Sequence, residues 1–189
     1  MTELGITPAQ TAGPYLRIGL LRNLIGSEVV DPGDPRAVVI RGRLTDGAGD
    51  GVFDGMVEIW QANAAGRYRH PSDDRDDVPR EEGFLGFGRS GTEDDGRFSF
   101  VTVKPGPVPW PGGGLQAPHL VVTVFARGLL KHDVTRLYFP DEAEANAADP
   151  VLSRLAPEQR ETLVAVSENG GLRFDIRLQG PSHTTFFAV

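Results

Sequence analysis

The side chains best suited to metal chemistry in this sequence are four histidines and three tyrosines, and no cysteine accompanies them. No histidine lies in an H-x-H, H-x-x-x-H or H-E-x-x-H pattern, so no local zinc site or facial triad is visible. Tyr68 lies in the segment GRYRH, and His119 lies in the apolar run QAPHLVVTV. Phenolate oxygen is a hard ligand that suits ferric iron, so one hypothesis is a ferric site built on Tyr68 and His119. The other is that His119 is a polar residue of the core with no metal-binding role.

Three other motifs could indicate chemistry, but the context of each argues against it. The run GFGRSG (86–91) matches G-x-G-x-x-G, yet a turn and a strand follow it instead of the helix that a dinucleotide site requires. The acidic residues between 73 and 82 could hold calcium, but their spacing differs from the calcium-loop template and favours a solvated loop. No G-x-S-x-G segment is present, so a serine hydrolase triad is not predicted.

The elements that would position these side chains are mostly strands. With 24 glycines and 15 prolines, the chain has the turn content of an all-β protein. About thirty residues between 64 and 95 carry no clear strand or helix, a length that suggests a functional loop. Alternating or continuous apolar runs predict strands over 37–45, 55–63, 96–103, 118–126, 134–139 and 172–180, and weaker patterns predict short helices over 141–148 and 156–166.

Composition limits the classes of function. A length of 189 residues indicates one domain, and the break DPGDP (31–35) separates an N-terminal arm, 1–36, from the remainder, 37–189. The net charge of −7 argues against nucleic-acid binding, and no apolar run reaches the ~18 residues of a membrane span. The opening decapeptide MTELGITPAQ lacks the features of a signal peptide and cysteine is absent, so a cytoplasmic location is expected.

Long segments of the sequence resemble the intradiol ring-cleaving dioxygenases, and the resemblance extends from the arm to RFDIRLQG near the C-terminus. It implies an all-β fold, a β-sandwich over 37–189 with long loops, an N-terminal arm and one or two short helices. The arm segment QTAGPY and the run FARGLL resemble the α chain of those family members that consist of two kinds of chain. The segments that carry the family resemblance are VEIWQANAAGRYRH (57–70), FLGFGRSGTEDDGRFSFVTVKPGPVPW (84–110), APH (117–119) and LYFPDEAEANAADPVL (137–152).

In the iron-bearing members of this family, two tyrosines and two histidines hold a ferric ion. Tyr68 and His119 match one ligand of each type, but Val108 and Val121 occupy the other two positions. Gln116 replaces an arginine that is expected before the histidines. Because valine has no donor atom, the resemblance implies a disused site at these four positions and no cofactor bound by this chain. His119 is then expected to be retained for hydrogen bonding and packing.

The resemblance also implies a partner. In the two-chain members, the α chain pairs with a β chain that holds Fe(III), and the αβ pairs form a larger assembly. Residues of the α chain complete the site at the interface, and in this sequence they correspond to Gly13, Pro14 and Tyr15 in the arm and to Arg127. A guanidinium favours the anionic substrate protocatechuate, which the assembly is expected to cleave with O2 to 3-carboxy-cis,cis-muconate, a step of aromatic catabolism through β-ketoadipate.

Simpler roles remain open for several of these residues. Arg127 could form an ordinary interface ion pair, Tyr15 could anchor the arm by packing, and Arg136 on the strand 134–139 could have a structural role. For the whole chain, one alternative is a non-enzymatic β-sandwich binding module derived from the dioxygenase fold. Another is an active single-chain catechol dioxygenase, against which Val108 and Val121 argue directly.

Overall fold

The computed structural model describes residues 5–22 and 26–188, which form a sandwich of two β-sheets with short helices. None of the helices in the described ranges has the length and apolar character needed to cross a bilayer. In chain order the elements are α1 (Pro14–Leu21), β1 (Ala37–Thr45), β2 (Met56–Trp60), β3 (Phe87–Gly91), β4 (Arg97–Val103), β5 (Val108–Pro109), β6 (Leu115–Gln116), β7 (His119–Phe125), β8 (Asp133–Tyr138), α2 (Ala143–Ala148), a 3-10 helix (Leu152–Arg154), α3 (Pro157–Glu161), β9 (Val166–Glu168), β10 (Gly171–Arg173) and β11 (Ile176–Arg177).

The two sheets meet along the apolar faces that the sequence alternation predicts. In the first sheet, β1 pairs antiparallel with β4 on one side and parallel with β10 and β11 on the other, and β9 extends β10. The second sheet has the antiparallel order β3-β2-β7-β8. One core fills the space between them, and its members include Ile40, Leu44, Val57, Ile59, Phe98, Phe100, Leu120, Val122, Val124, Leu137, Leu172, Phe174 and Ile176.

The last predicted strand, 172–180, keeps its inward-facing alternation but is divided into β10 and β11. Between the two halves, the Asp175 carboxylate accepts a hydrogen bond from the backbone N–H of Arg43 at 3.1 Å, so a side chain replaces the expected backbone partner. The chains approach closely here, because a Cβ on Gly42 would lie 1.9 Å from the Phe174 carbonyl oxygen. Only glycine fits at that position of β1.

The prediction that residues 64–95 contain no strand is wrong, because β3 lies within GFGRSG and pairs with β2 along its whole length. Its inward-facing positions are Gly88 and Ser90, which are too small to give an apolar alternation. A Cβ at Gly88 would lie 2.7 Å from Cγ2 of Val29, so the small residue admits the arm against this strand. The run is a strand and not a phosphate-binding turn before a helix, in agreement with the exclusion of a dinucleotide site.

The predicted arm, 1–36, is described except for residues 1–4 and 23–25, which lie outside the described residues. It contains a helix that the sequence analysis missed, α1, which begins at Pro14, a residue suited to the first helical turn. Arg17 Nη2 donates to the carbonyl of Thr92 at 2.9 Å, and the N–H of Val29 donates to the carbonyl of Val101 at 2.8 Å. The arm therefore contacts the sandwich through α1 and again at Val29.

Candidate functional site

The outer face of the second sheet carries two of the four predicted ligand positions. His119 and Val121 lie on the face of β7 opposite the core, since the residues between and beyond them point into it. In the register of the sheet, His119 pairs with Tyr138, and Val121 pairs with Arg136 on one side and Trp60 on the other. The strands thus place an imidazole, a phenol and a guanidinium beside one another.

The other two positions reach the same region from loops. The ring of Tyr68 stacks on Trp60 with 5.7 Å between the ring centroids, and the hairpin of β5 and β6 pairs Val108 with Gln116. Tyr68, Val108 and Gln116 line one cleft of about 410 Å³ together with Trp60. We call this the outer cleft. Tyr68 and Val108 therefore share this cleft, whereas His119 and Val121 lie on the adjacent strand β7 and do not line it.

Arg136 connects the cleft to the strands behind it. Its Nη1 donates to Oε1 of Gln116 at 2.9 Å and to the Tyr138 hydroxyl oxygen at 3.1 Å. Within residues 5–22 and 26–188, no carboxylate lies within 4.0 Å of its guanidinium nitrogens. The expected arginine is absent from position 116, but an arginine from β8 bonds to the glutamine that replaces it.

A buried carboxylate fixes the segment that leads to His119. Asp149 has no exposed surface, and its Oδ1 accepts hydrogen bonds from the Tyr138 hydroxyl at 3.2 Å and from the backbone N–H groups of Val151 and Leu152 at 2.8 and 2.9 Å. Its Oδ2 accepts from the N–H of Ala117 at 2.8 Å. One side chain therefore joins β8, the turn after α2 and the approach to β7. Sequence reasoning did not identify it.

Both potential donors in the site are neutral near pH 7. Burial lowers the pKa of His119 to about 4, the charge of Arg136 lowers it as well, and the Nδ1–H donates to the carbonyl of Ala117 at 2.8 Å. Burial also raises the pKa of the Tyr68 phenol, against which the positive charge of Arg136 acts only in part. The geometry thus favours a hydrogen-bonded imidazole and an un-ionised phenol.

These residues do not fit a ferric ion. Of the four family ligand positions, Val108 and Val121 provide no donor atom, and Tyr68 and His119 provide one each. In the described part of the chain, no group of three or more histidine or acidic side chains is placed to hold a metal ion.

The acidic long loop is held by arginines. Asp73 pairs with Nη2 of Arg75 at 2.6 Å, and its other hydrogen bonds include one from the N–H of Tyr68 at 2.8 Å. The hydrogen bonds from Arg75 lower the pKa of Asp73 to about 2. Arg67, which is buried, reaches Asp76 at 3.2 Å. These pairs engage two of the carboxylates in the loop, and Asp73 holds the backbone of Tyr68 in place.

The buried neutral histidine gives a pH-dependent stability. The unfolded chain protonates His119 near its ordinary pKa of 6.5, whereas the folded chain protonates it near 4, so stability is complete above 6.5 and falls as the pH drops. Between pH 7 and pH 4 the free energy of unfolding should lose about 3 kcal/mol from this group alone. Urea denaturation across this range measures the loss.

The matched comparison for this prediction uses two single variants. His119→Gln should remove this component of the pH dependence, whereas His183→Gln, at an exposed histidine, should keep it. A His119→Gln chain with the same pH dependence as the unmodified chain would contradict the assignment of a buried neutral imidazole.

The residues predicted to complete a partner's site form a second region. Nε of Arg127 donates to Oδ2 of Asp54 at 2.8 Å, its guanidinium lies 5.4 Å from the centroid of the Phe53 ring, and its side chain is 61% exposed. The N–H of Gly128 donates to the hydroxyl of Thr11 at 2.8 Å. This bond joins the arm to the FARGLL run, so the two segments that the resemblance singled out lie side by side.

The arm presents Gly13, Pro14 and Tyr15 at the start of α1. Gly13 is the N-cap residue, Pro14 is the first helical residue, and the side chain of Tyr15 is 85% exposed. Tyr15 therefore packs little against its own chain. Residues 9–13 of the arm line a cavity of about 430 Å³ together with residues 125–126 and 129–132, and this cavity has no lining residue in common with the outer cleft. The two predicted sets of residues are thus in separate places.

Comparison with known proteins identifies similar chains. The family model described as "Dioxygenase" matches residues 22–180. The chain is 44% identical to the protocatechuate 3,4-dioxygenase alpha chain of Burkholderia cepacia, with complete coverage of both chains, and 35% identical to the beta chain from the same organism, over 88% of this chain and 75% of that one. Among solved structures, the dioxygenase domain of a carbohydrate-binding fusion from Streptomyces sp. SirexAA-E has 22% identity, a TM-score of 0.59 and 96% coverage of each chain, a likeness of fold.

Proposed function

This chain belongs to the intradiol ring-cleaving dioxygenases, and we propose on that premise that it is the iron-free alpha subunit of a protocatechuate 3,4-dioxygenase. The observation that carries the proposal is the 44% identity to a protocatechuate 3,4-dioxygenase alpha chain over the full length of both chains. Similarity to the beta chain of the same enzyme supports a pairing of two related sandwiches. The Fe(III) is assigned to the beta subunit, because Val108 and Val121 leave this chain without a ligand set.

The role proposed for this chain is to complete the partner's site. The N-terminal arm, 1–36, contacts the beta subunit, and the β-sandwich domain, 37–189, supports the arm. Gly13, Pro14, Tyr15 and Arg127 are the residues assigned to the interface site. Two features support this role. Tyr15 and Arg127 are exposed, and aromatic and guanidinium side chains are the types that most often anchor protein interfaces. The hydrogen bond from Gly128 to Thr11 also holds the arm beside the FARGLL run.

The chemistry of Arg127 suits an anionic aromatic acid. Asp54 engages Nε and Nη2 from one side and thereby orients the guanidinium, while Nη1 takes part in neither bond. A planar guanidinium fixed in this way can form a charge-assisted hydrogen bond to a carboxylate without first losing much side-chain freedom. The reaction proposed for the assembly is cleavage of protocatechuate with O2 to 3-carboxy-cis,cis-muconate.

A non-enzymatic binding module is not favoured, because the similarity covers the entire length of an enzyme subunit and not the sandwich alone. A cytoplasmic location is proposed from the absence of cysteine in all 189 residues, which suits a reducing compartment.

Co-expression tests the proposal. The chain purified alone should consume no O2 with protocatechuate, whereas co-expression with an iron-bearing beta subunit should give an activity that co-elutes with both chains. The beta subunit expressed alone is the control, and its activity should be lower than that of the pair. Activity in this chain alone, or a beta subunit that neither binds it nor gains from it, would refute the proposal.

A further inference from the structure

The outer face of the first sheet concentrates arginines in a chain whose net charge is −7. Because side chains alternate along a strand, Arg41 and Arg43 of β1, Arg97 of β4 and Arg173 of β10 lie on the face opposite the core. In the register of the sheet, Arg43 is directly opposite Arg97, and Arg41 is directly opposite Arg173. Like charges directly opposite each other on neighbouring strands are destabilising. This face would therefore gain stability from a bound anion.

Carboxylates of the chain neutralise only part of this charge. Arg97 and Arg173 form ion pairs at 3.1 and 3.0 Å. Asp175, on the same face, also pairs with Arg173. Within residues 5–22 and 26–188, no carboxylate lies within 4.0 Å of the guanidinium nitrogens of Arg43 or Arg177. These two guanidiniums therefore keep a positive charge that an anion can use.

Backbone carbonyls hold both guanidiniums in place beside the turn that follows β1. Nε of Arg43 donates to the carbonyl of Asp95 at 2.7 Å, and Nη1 of Arg177 donates to the carbonyl of Pro181 at 2.9 Å. Nη1 of Arg43 lies 3.5 Å from the carbonyl oxygen of Gly49, and a Cβ on Gly49 would lie 3.8 Å from Nη2 of Arg177. The two groups thus converge on one residue, and a ligand would bind them without first restricting much side-chain freedom.

Both arginines line a cavity of about 430 Å³, and hydroxyl side chains of Thr45, Ser182 and Thr184 line it with them. Thr184 is 2% exposed, and its Oγ1 accepts a hydrogen bond from the N–H of Arg177 at 3.0 Å. In the part of the chain that the structure describes, the proton of this hydroxyl has no acceptor. The buried hydroxyl is therefore able to donate to an acceptor placed in the cavity.

We propose that this cavity binds a small oxyanion of the phosphate or carboxylate type. Arg43 and Arg177 supply charge-assisted hydrogen bonds, and Thr184 supplies a neutral donor, a combination that suits the several oxygens of such an anion. The carboxylates that line the cavity, Glu161 and Asp175, are outnumbered by its three arginines, and Asp175 is already in an ion pair. The inference does not rest on the proposed function, because none of these residues belongs to the outer cleft or to the region of Arg127.

Isothermal titration calorimetry of the full-length chain tests the site. Sodium phosphate and sodium tricarballylate are titrated separately at constant ionic strength, so that screening by salt is equal throughout. At least one of the two should bind with one anion per chain, and the stronger of them shows whether a phosphate or a carboxylate ligand suits the cavity better. Absence of binding by both anions would overturn the proposal.

The arginine variants distinguish a defined site from the general charge of the sheet face. Arg43→Gln and Arg177→Gln should each weaken binding about tenfold, since each removes a charge-assisted hydrogen bond. Arg41→Gln is the matched control, because Arg41 is exposed on the same strand and carries the same charge but does not line the cavity. It should change the affinity less than about twofold. An Arg41→Gln chain as weakened as the Arg43→Gln chain would overturn the proposal.

The Thr184 variants test the buried donor. Thr184→Ser keeps the hydroxyl and should bind as the unmodified chain does, whereas Thr184→Val should bind about fivefold more weakly. Thermal unfolding establishes that each variant is folded. If the valine variant does not fold, because the N–H of Arg177 loses its acceptor, the comparison of Arg43→Gln with Arg41→Gln decides the result. Equal affinities of folded valine and serine variants would count against the proposed site.

Discussion

Replacement of Asp149 by alanine is expected to lower the free energy of unfolding by about 4 kcal/mol, because four donors, three buried and one partly buried, lose this acceptor and each costs roughly 1 kcal/mol. The donors are the N–H groups of Ala117, Val151 and Leu152 and the hydroxyl of Tyr138. Asp149 has no exposed surface, so bulk water does not reach the donors that the carboxylate leaves behind. Urea denaturation at pH 7 measures the difference.

Asp141 provides the matched control for this prediction. It lies just before α2, whereas Asp149 lies just after it, and its side chain is 64% exposed and pairs with Lys104 at the surface. Asp141→Ala should therefore change the free energy of unfolding by no more than about 1 kcal/mol. Asp149→Asn should fall between the two, because the amide keeps one acceptor and presents a donor to the N–H of Ala117. Equal effects of Asp149→Ala and Asp141→Ala would contradict the assigned network.

In the assembled enzyme, Arg127→Ala is expected to reduce kcat/KM for protocatechuate roughly 10- to 100-fold, the value of one charge-assisted hydrogen bond in a partly desolvated site. The reduction should be smaller for an analogue without the carboxylate, because that substrate never makes the bond. Steady-state oxygen uptake with both substrates measures the effect. Unchanged KM and turnover would show that Arg127 does not act on the substrate.

Three further variants separate a substrate role from an ordinary ion pair. Arg127→Lys should recover part of the activity, since it keeps the charge without the planar geometry. Arg97→Ala removes another exposed arginine that pairs with a neighbouring aspartate, at 3.1 Å, and should leave the kinetics unchanged. If Arg127 serves only to neutralise Asp54, then Asp54→Ala should reproduce the whole defect, and this outcome would also count against the substrate role.

Periodic apolar residues made much of the fold predictable. The β1 run 37–45 and the alternation in β2 and β4 match the observed strands, because large apolar side chains at every second position leave one buried face. β3 was missed because its inward positions are Gly88 and Ser90, which pack by being small. The break between β10 and β11 depends on an Asp175 side-chain bond that has no periodic signature.

The features of the site that depend on which side chains have donor atoms could be predicted from the sequence. Those that depend on how neighbouring strands pair could not. The absence of a donor in Val108 and Val121 is visible in the sequence alone. The position of Arg136 opposite Val121 follows from the pairing of β7 with β8, which the sequence does not specify because a shift of one residue would reverse the face. Asp149 resembled any loop aspartate, since its four partners come together only after folding.

Iron analysis of the co-expressed complex tests most directly the proposal that this chain is the iron-free half of an iron enzyme. The complex should contain one iron per pair of chains, with the visible tyrosinate absorption. After the subunits are separated, the iron should remain with the beta subunit, and this chain should retain none. One tightly held iron per copy of this chain, with tyrosinate absorption in the separated chain, would contradict this proposal.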